Sequence, residues 1–154
     1  MQSVKNNISE RELIFTRLLD APLRMVWEVW TSPAHIALWW GPDGFTNTIR
    51  TMDIKPGGKW ELTMHGPDGR DYEIHIVFRE IIKEQRIVYE QLNQFKCVAT
   101  IDFERRGNKT MLRWQMLFES RESLVQAAKD YGVDIGLKQT GERLVNYLQK
   151  FKTN

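Results

Sequence analysis

Three histidines, His35, His65 and His75, are the side chains of this 154-residue sequence best suited to bind a transition metal or to carry a proton. The strand pairing predicted below places His75 opposite Glu61, which is four residues along its strand from His65. At ~3.3 Å per residue that separation is about 13 Å, which is too long for one ion to bind both rings. Both rings also fall on the odd-numbered, outer face of the predicted sheet. We therefore predict no metal site and no cofactor.

The single cysteine, Cys97, could act as a nucleophile only with a base beside it. In its predicted strand it alternates with Ala99, Ile101 and Phe103 on the inward face, and no histidine falls on that face. The sequence also contains no G-x-S-x-G nucleophile elbow. These observations predict a buried thiol and no nucleophilic catalytic residue.

Two pairs of carboxylates could do acid–base work, Asp68 with Asp71 and Glu61 with Glu73. The first pair lies at a predicted turn and the second on the predicted outer face, so a solvated surface role is favoured for both. The glycines at 57–58 join one strand to another, whereas a phosphate-binding loop joins a strand to a helix. The sequence therefore predicts neither a catalytic carboxylate pair nor a nucleotide site.

The composition limits the class of protein. Net charge is +2, with 22 Lys and Arg scattered among 20 Asp and Glu, which does not predict a nucleic-acid partner. No apolar run approaches the ~20 residues of a membrane span, and the start lacks a hydrophobic signal region, so we predict a cytoplasmic protein. Residues 1–9 are predicted to be a disordered lead-in and residues 10–154 a single domain.

The elements that must position these side chains follow from spacing and turn signals. The stretch ERELIFTRLL at 10–19 is typical of a strand, and Pro22 and the Ser32-Pro33 pair each start a short helix. Turns at 56–58, 67–69 and 105–108, together with strands predicted near 86–92 and 95–104, indicate six strands between residues 46 and 118. The predicted cross-strand pairs are Ile54 with Trp60, Met52 with Leu62, Met64 with Tyr72, Leu62 with Ile74, Ile101 with Leu112, and Ala99 with Trp114.

The C-terminal third changes to helical spacing. A helix capped by Ser120 is predicted to stop at Gly132, and a longer amphipathic helix follows it. Its apolar stripe is predicted to be Leu137, Gly141, Leu144, Leu148 and Phe151. The only large apolar surface that can cover this stripe is the concave face of the sheet. The predicted fold is therefore α+β: a curved antiparallel sheet of about seven strands around a long C-terminal helix, with two short helices between strands 1 and 2 and a cavity between sheet and helix.

This order of elements resembles the helix-grip fold of the START-like (SRPBCC) superfamily. Within it, the motifs resemble the domain named after the activator of heat-shock protein 90 ATPase, over about residues 10–151. The matching segments are Asp20-Ala21-Pro22, Val26-Trp27, Ser32-Pro33, Trp39-Trp40-Gly41-Pro42, Pro56-Gly57-Gly58-Lys59-Trp60, Gly66-Pro67-Asp68-Gly69, and Glu142-Arg143-Leu144. The resemblance specifies the fold closely but implies several functions, since the superfamily includes lipid binders, cyclases and co-chaperones.

Gly141 departs from the resemblance, because such domains usually carry a large apolar residue there. A glycine inside a helix costs about 1 kcal/mol relative to alanine. Two interpretations stay open at this point. The missing side chain either enlarges the cavity or allows the helix to approach the sheet closely.

The leading functional prediction is non-enzymatic binding of a hydrophobic or amphipathic small molecule between the sheet and the last helix. The candidate ligand-binding residues are Trp40, Arg50, Trp60, Met64, Tyr72, Ile74, Trp114, Leu137 and Gly141. Arg50 is predicted to lie on the inner face, opposite Met64, where it could pair with a ligand carboxylate. Two alternatives remain: a chaperone ATPase regulator with a chaperone or other protein partner, and a cyclase, dehydratase or hydrolase that uses Tyr72 or Arg50 in the same cavity.

Overall fold

A computed structural model describes residues 9–152 of the chain. Residues 1–8 of the predicted lead-in lie outside this range. After a single 3-10 turn at Ser9–Arg11, seven strands and four helices follow one another. The strands are β1 (Glu12–Leu19), β2 (Thr46–Met52), β3 (Lys59–His65), β4 (Asp71–Ile82), β5 (Arg86–Gln91), β6 (Cys97–Arg106) and β7 (Lys109–Leu117). The helices are α1 (Leu23–Thr31), α2 (Pro33–Trp39), α3 (Arg121–Tyr131) and α4 (Val133–Gln149).

The strands form one antiparallel sheet in the order β1-β7-β6-β5-β4-β3-β2. Strands β2 to β7 are a meander of consecutive neighbours, and β1 joins the far edge by pairing with β7. Helices α1 and α2 connect β1 to β2, and α4 contacts both β1 and α2. This arrangement confirms the predicted α+β helix-grip fold.

The pairing of β3 with β4 follows the prediction. Met64 lies opposite Tyr72, and His75 lies opposite Glu61. The turn between these strands closes through a hydrogen bond from the Gly66 amide to the Arg70 carbonyl, 2.7 Å long. The inner face of the sheet, which is the face toward α4, therefore carries the predicted apolar residues of both strands.

The predicted pairing of β2 with β3 is wrong by two residues. Met52 pairs with Trp60, not with Leu62. The reason is the connection, which is longer than a three-residue loop: the Asp53 amide bonds the Lys59 carbonyl, and a second turn at 55–58 follows inside it. Gly57 takes the left-handed conformation at φ +82°, and its amide donates to the Phe78 carbonyl on β4.

The last hairpin also differs by two residues. Arg106 lies opposite Lys109, so the turn is shorter than predicted and Ile101 pairs with Trp114 instead of Leu112. Because side chains alternate with a period of two, this shift leaves every residue on its predicted face. The inner face of β6 and β7 is therefore as predicted, although the individual pairs are not.

The two C-terminal helices begin and end close to where the sequence predicts. The Ser120 hydroxyl accepts a 3.0 Å hydrogen bond from the Ser123 amide and caps α3, which ends at Gly132 with φ +63°. On α4, the stripe of Leu137, Gly141, Leu144 and Leu148 is buried. Phe151 lies beyond the end of α4 and is 38% exposed, so its predicted place in the stripe is wrong.

Tryptophan rings fill the centre of the molecule. Trp30 packs edge-on against Trp39 and Trp114, with ring centroids 4.9 Å apart in both pairs. Trp40 stacks on Trp114 at 5.4 Å and reaches the Trp60 ring at 4.8 Å. This cluster joins α1, α2 and the inner face of the sheet, and it forms the floor on which the candidate site is built.

Candidate functional site

A pocket of about 200 Å³ lies between the inner face of the sheet and the helices α3 and α4. We call it the central pocket. Its lining is mostly aromatic and aliphatic, with a few polar groups. The lining residues are Trp40, Gly41, Pro42, Phe45, Met64, Tyr72, Ile74, Tyr89, Gln91, Gln94, Phe95, Trp114, Met116, Asp130, Tyr131, Val133, Gly136, Leu137 and Thr140.

Six of the nine predicted ligand-binding residues line the central pocket: Trp40, Met64, Tyr72, Ile74, Trp114 and Leu137. These residues lie at the C-terminal end of α2, on the strands β3, β4 and β7, and on helix α4. Trp60 does not reach the pocket, because its ring is 1% exposed and lies behind Trp40. The two others, Arg50 and Gly141, are placed where their predicted roles do not fit.

Arg50 lies on the outer face of the sheet, so its predicted position facing the cavity is wrong. A bulge between Ile49 and Thr51 breaks the alternation of β2 at this residue. As a result, Ile49 and Met52 pair with inner-face residues while Arg50 points the other way. Its guanidinium donates to the Thr63 hydroxyl at 2.6 Å and pairs with the Glu73 carboxylate at 2.8 Å. Arg50 is therefore removed as a partner for a ligand carboxylate and as a catalytic candidate in the cavity.

Gly141 permits close approach of α4 to β1 and does not enlarge the central pocket. A Cβ at this position would lie 2.7 Å from Cδ1 of Phe15 and closer still to its Cε1 and Cζ atoms. Carbon atoms in contact normally lie about 3.5–4.0 Å apart. The Phe15 ring thus occupies the space that the prediction of a larger cavity assigned to a ligand.

The wall formed by residues 40–42 is fastened to α4 by Arg143. One nitrogen of its guanidinium, Nη1, donates to the carbonyls of Trp40, Gly41 and Pro42 at 3.2, 2.8 and 2.9 Å. Burial lowers the pKa of Arg143. A cation at this place also favours the C-terminal end of α2, where carbonyl oxygens lack partners within the helix.

Thirteen of the nineteen lining residues are absent from the predicted site, and two of them lie side by side on the inner face of β5. Tyr89 and Gln91 lie on β5, whose alternation places them on the inner face. Burial raises the pKa of Tyr89 well above its ordinary value. The phenol is therefore neutral at physiological pH. The alternation of β5 was the signal that could have identified both residues.

Several lining residues have polar side-chain groups that bond within the protein. The Thr140 hydroxyl donates to the Gly136 carbonyl at 2.7 Å, the Gln91 amide to the Asn93 carbonyl at 3.1 Å, and the Tyr131 hydroxyl to Gln94 at 3.1 Å. The Trp114 indole nitrogen differs, since it is buried and has no acceptor among residues 9–152. The central pocket therefore has a largely apolar surface, and several polar side chains of its lining are occupied by bonds within the protein.

Charge is nearly absent from the lining. Asp130 carries the one carboxylate, and it is exposed and accepts a hydrogen bond from Gln126. Within residues 9–152, no lysine, arginine or histidine lines the pocket. Its electrostatic character is thus neutral inside and weakly acidic at the solvent side.

The other chemically interesting residues lie away from the central pocket. His65 bonds Thr48 and Asp71 on the outer face, each at 2.8 Å, and His75 faces Glu61 at 3.4 Å. Cys97 is buried, and burial raises the pKa of its thiol to about 12. It is therefore a neutral thiol at physiological pH.

His35 links helices instead of facing the sheet. Its Nδ1 atom lies 2.6 Å from the Tyr147 hydroxyl on α4, and its ring packs edge-on against Phe151 at 5.6 Å. Its Nε2 atom lies 3.6 Å from the Glu28 carboxylate on α1. This contact ties α1, α2 and the end of α4 together outside the pocket.

Over the part of the chain that the structure describes, no helix is long and apolar enough to cross a lipid bilayer.

Comparison with known proteins gives consistent results. The sequence model of the family described as "Activator of Hsp90 ATPase homolog 1-like protein" matches residues 20–149. A crystal structure of a protein from Nitrosomonas europaea is similar with a TM-score of 0.82 at 20% identity, covering 92% of this chain and 96% of the other. A solution NMR structure from Arthrobacter aurescens reaches 0.85 at 24% identity, with 92% and 88% covered. A Mycobacterium smegmatis protein reaches 0.78 at 19% identity, with 96% and 94% covered. No curated protein matches the chain. At these identities the structural likenesses show the fold alone.

Proposed function

We propose that this chain, which belongs to the family of activator of Hsp90 ATPase homolog 1-like proteins, binds a small apolar or amphipathic molecule in the central pocket without transforming it. The observation that carries the proposal is the pocket itself, about 200 Å³ of space lined by aromatic and aliphatic side chains within the grip of sheet and helix. Pockets that bind small molecules are typically apolar concavities with a few polar groups.

The volume limits the size of the molecule. An engineered cavity of about 150 Å³ holds benzene, which has six non-hydrogen atoms. Scaled to the 200 Å³ of the central pocket, this corresponds to about eight non-hydrogen atoms. The proposed occupant is therefore one ring with a short substituent, and a longer chain would have to extend past Asp130 into solvent.

The titratable side chains of the lining are Tyr72, Tyr89, Asp130 and Tyr131, and two of them favour binding over catalysis. Tyr89 is held neutral by burial, and Asp130 is exposed. General acid–base catalysis is most effective when the pKa of the acting group lies near the working pH. A phenol whose pKa is raised well above its ordinary value is a poor proton carrier at neutral pH. Its aromatic ring can still pack against an apolar ligand.

The test uses ethylbenzene as an apolar probe of eight non-hydrogen atoms. Titration followed by tryptophan fluorescence should show a saturable change in the wild-type protein, because Trp40 and Trp114 line the pocket. Native mass spectrometry of freshly purified protein searches in parallel for a co-purified small molecule. Absence of any saturable response to ethylbenzene would contradict the proposal.

A matched pair of variants locates the binding. Ile74→Phe adds a ring on the pocket wall and should abolish the response. Ile76→Phe is the control, because Ile76 lies two residues along the same face, is 2% exposed and does not line the pocket. The control is expected to lose about 1–3 kcal/mol of stability from overpacking, yet to keep the fluorescence response. Equal binding by both variants would place the probe elsewhere.

A second candidate function is regulation of a chaperone ATPase, and it rests on the family match over residues 20–149. The test adds the purified chain to an Hsp90 ATPase assay. A rate that rises with chain concentration and is unaffected by Ile74→Phe would favour this function over ligand binding. An unchanged rate would remove it.

A further inference from the structure

The two edges of the sheet differ in how well they are protected against pairing with another strand. Edge strands of natural proteins commonly carry a bulge, a proline or charged side chains that prevent such pairing. At one edge, β2 has the bulge between Ile49 and Thr51 and the charged Arg50 within it. At the other edge, β1 pairs with β7 without a bulge over eight consecutive residues, ELIFTRLL, which include no proline, glycine or lysine. The edge at β1 is therefore the one open to a further strand.

Two large apolar side chains are exposed beside this open edge. Ile14 and Leu18 are each 44% exposed, and they lie on the outer face, opposite Gln115 and Met111 of β7. A groove of about 420 Å³ between β1 and α4 leaves Ile14 and Thr16 accessible from the side. A regular edge strand with exposed apolar side chains is a template for pairing with another chain.

The backbone of β1 has unused hydrogen-bonding groups along the same edge. The Phe118 amide donates to the carbonyl of Arg11, its cross-strand partner, so the odd-numbered residues of β1 are the ones that bond to β7. The amides and carbonyls of Ile14, Thr16 and Leu18 therefore point away from β7. No hydrogen bond from another part of residues 9–152 reaches them. An antiparallel partner strand would bond to all three residues.

We propose that two copies of the chain associate through β1, antiparallel about a two-fold axis at Thr16, so that their sheets become one continuous sheet. In this register Ile14 of each copy lies opposite the partner's Leu18, and the exposed apolar side chains cover one another. Thr16 meets the partner's Thr16, which is a favourable cross-strand pair. The edge of β1 is thus complementary to itself, as a two-fold interface requires.

Charge favours the same register. Asp20, directly after β1, forms an ion pair with Lys152. In the proposed dimer Glu12 lies opposite the partner's Asp20, where the partner's Lys152 can neutralise both carboxylates. Because β2 is protected by its bulge, β1 of a second copy is the edge available for pairing, and this pairing closes at two chains.

A neighbouring register fits less well. An axis at Phe15 would place the charged Glu12 opposite the partner's Leu18 and would place Ile14 opposite the partner's Thr16. Both apolar side chains would then face polar ones. The axis at Thr16 is therefore the one that the pattern of β1 selects.

The first experiment measures the mass of the full chain against its concentration, by size-exclusion chromatography with light scattering. An edge of eight residues buries less than the ~1,600 Å² of a standard interface, so we expect a weak, reversible dimer. The chain should be mainly dimeric at about 300 µM and mainly monomeric at about 1 µM, as for a dissociation constant in the micromolar range.

Hydrogen exchange of single amides identifies the interface. The amides of Ile14, Thr16 and Leu18 should exchange slowly at the high concentration and rapidly at the low one. The amides of Phe15 and Arg17, which bond to β7, should exchange slowly at both concentrations. Only pairing at the free edge of β1 produces this alternation.

Variants test the same edge. Thr16→Pro removes an outward amide from each copy and no bond to β7, and it should weaken association at least about tenfold, as for the loss of two ordinary hydrogen bonds. Ile14→Lys places a charge in the paired edge and should weaken association similarly. Leu38→Lys is the matched control, because Leu38 is 64% exposed but lies on α2, so this variant should associate like the wild type. If Thr16→Pro does not fold, Ile14→Lys and the exchange pattern decide the question.

Three results would overturn the proposal: a monomer at the high concentration, a dimer in which the amides of Ile14, Thr16 and Leu18 exchange rapidly, or slow exchange of these amides in the monomer, which would mean that the chain covers its own edge. Equal weakening by Leu38→Lys and Ile14→Lys would also place the interface elsewhere. Because β1 does not line the central pocket, Ile14→Lys should bind ethylbenzene like the wild type, so the proposed function is tested separately.

Discussion

Replacing Gly141 with alanine should destabilise the protein, although the same change usually stabilises a helix. The added Cβ would meet the ring of Phe15 well inside van der Waals contact, at 2.7 Å from Cδ1 and less from the next two ring atoms. Phe15 is 8% exposed, and the Arg17 guanidinium lies 5.4 Å from the centre of its ring. Arg17 is itself held by Glu142 on α4. Burial and this ion pair oppose movement of the ring.

The magnitude is a difference between two opposing effects. Alanine in place of glycine favours a helix by about 1 kcal/mol. Displacing Phe15 costs about 1.5–3 kcal/mol if its ring loses its burial, and overpacking costs a similar amount if the ring stays. The expected net loss for Gly141→Ala is thus about 0.5–2 kcal/mol. For a domain of this size that corresponds to a Tm lower by about 1–8 °C.

Urea unfolding followed by circular dichroism measures this loss, with Gly136→Ala as the matched control on the same helix. A Cβ at Gly136 would lie 3.3 Å from Cγ of Pro42, so only a small adjustment is needed. The control is therefore expected to be neutral or stabilising by up to about 1 kcal/mol.

A double-mutant cycle ties the effect to the ring. In a Phe15→Leu background the ring is gone, and Gly141→Ala should become less harmful by at least about 1 kcal/mol. If Gly141→Ala is as stable as the wild type, or equally harmful in both backgrounds, then Phe15 does not fill the space beside Gly141. The assignment of this glycine to close helix–sheet approach would then be wrong.

Three further predictions concern the elements around the pocket. Arg143→Met should lower the free energy of unfolding, measured in urea, by about 2–3 kcal/mol, because the carbonyl of Trp40 and its neighbours lose a charged donor. Arg143→Lys should recover only part of the lost stability. Full recovery by lysine would contradict the need for the guanidinium. Tyr147→Phe removes the 2.6 Å hydrogen bond to His35 and should cost about 1 kcal/mol by the same assay, whereas no loss would mean that the bond is not formed in solution. The raised pKa of Cys97 favours the folded state below pH 9, and this stabilisation is lost as pH rises from 9 toward about 12. Over that range the wild type should lose stability faster than Cys97→Ala, by up to about 1.4 kcal/mol per pH unit, and parallel profiles would refute burial of the neutral thiol.

Much of the fold was predictable because its signals are local. The alternation of β3 and β4 and the turn at 67–69 placed Met64 opposite Tyr72, and the structure agrees. Ser120 and Gly132 marked the limits of α3 correctly. At the turns around 56–58 and 105–108 the register depends on the length of the loop, and there the observed cross-strand pairs differ from the predicted pairs by two residues. A shift of two keeps each side chain on its face, so the candidate pocket residues on β3, β4 and β7 survived these errors.

The candidate site was less predictable, because one irregular residue can reverse a prediction that rests on alternation. The bulge at Arg50 moved a cation from the predicted inner face to the outer face. The prediction that Arg50 could neutralise a ligand carboxylate in the cavity is therefore wrong. No residue near Arg50 in the sequence marks the bulge in a way that alternation alone could detect.

The sequence by itself determined the order of the elements, the face of most strand residues and the apolar character of the space between sheet and helix. Hydrogen-bonding propensity and side-chain periodicity decide these features within a few neighbouring residues. The tertiary structure alone decided that the Phe15 ring, from the first strand, occupies the space beside Gly141 on the last helix, that Arg143 fastens the wall at Trp40, and that about 200 Å³ stays open. Those outcomes depend on how closely distant parts of the chain approach one another. Such distances are set by the packing of whole side chains and are not encoded in any local pattern.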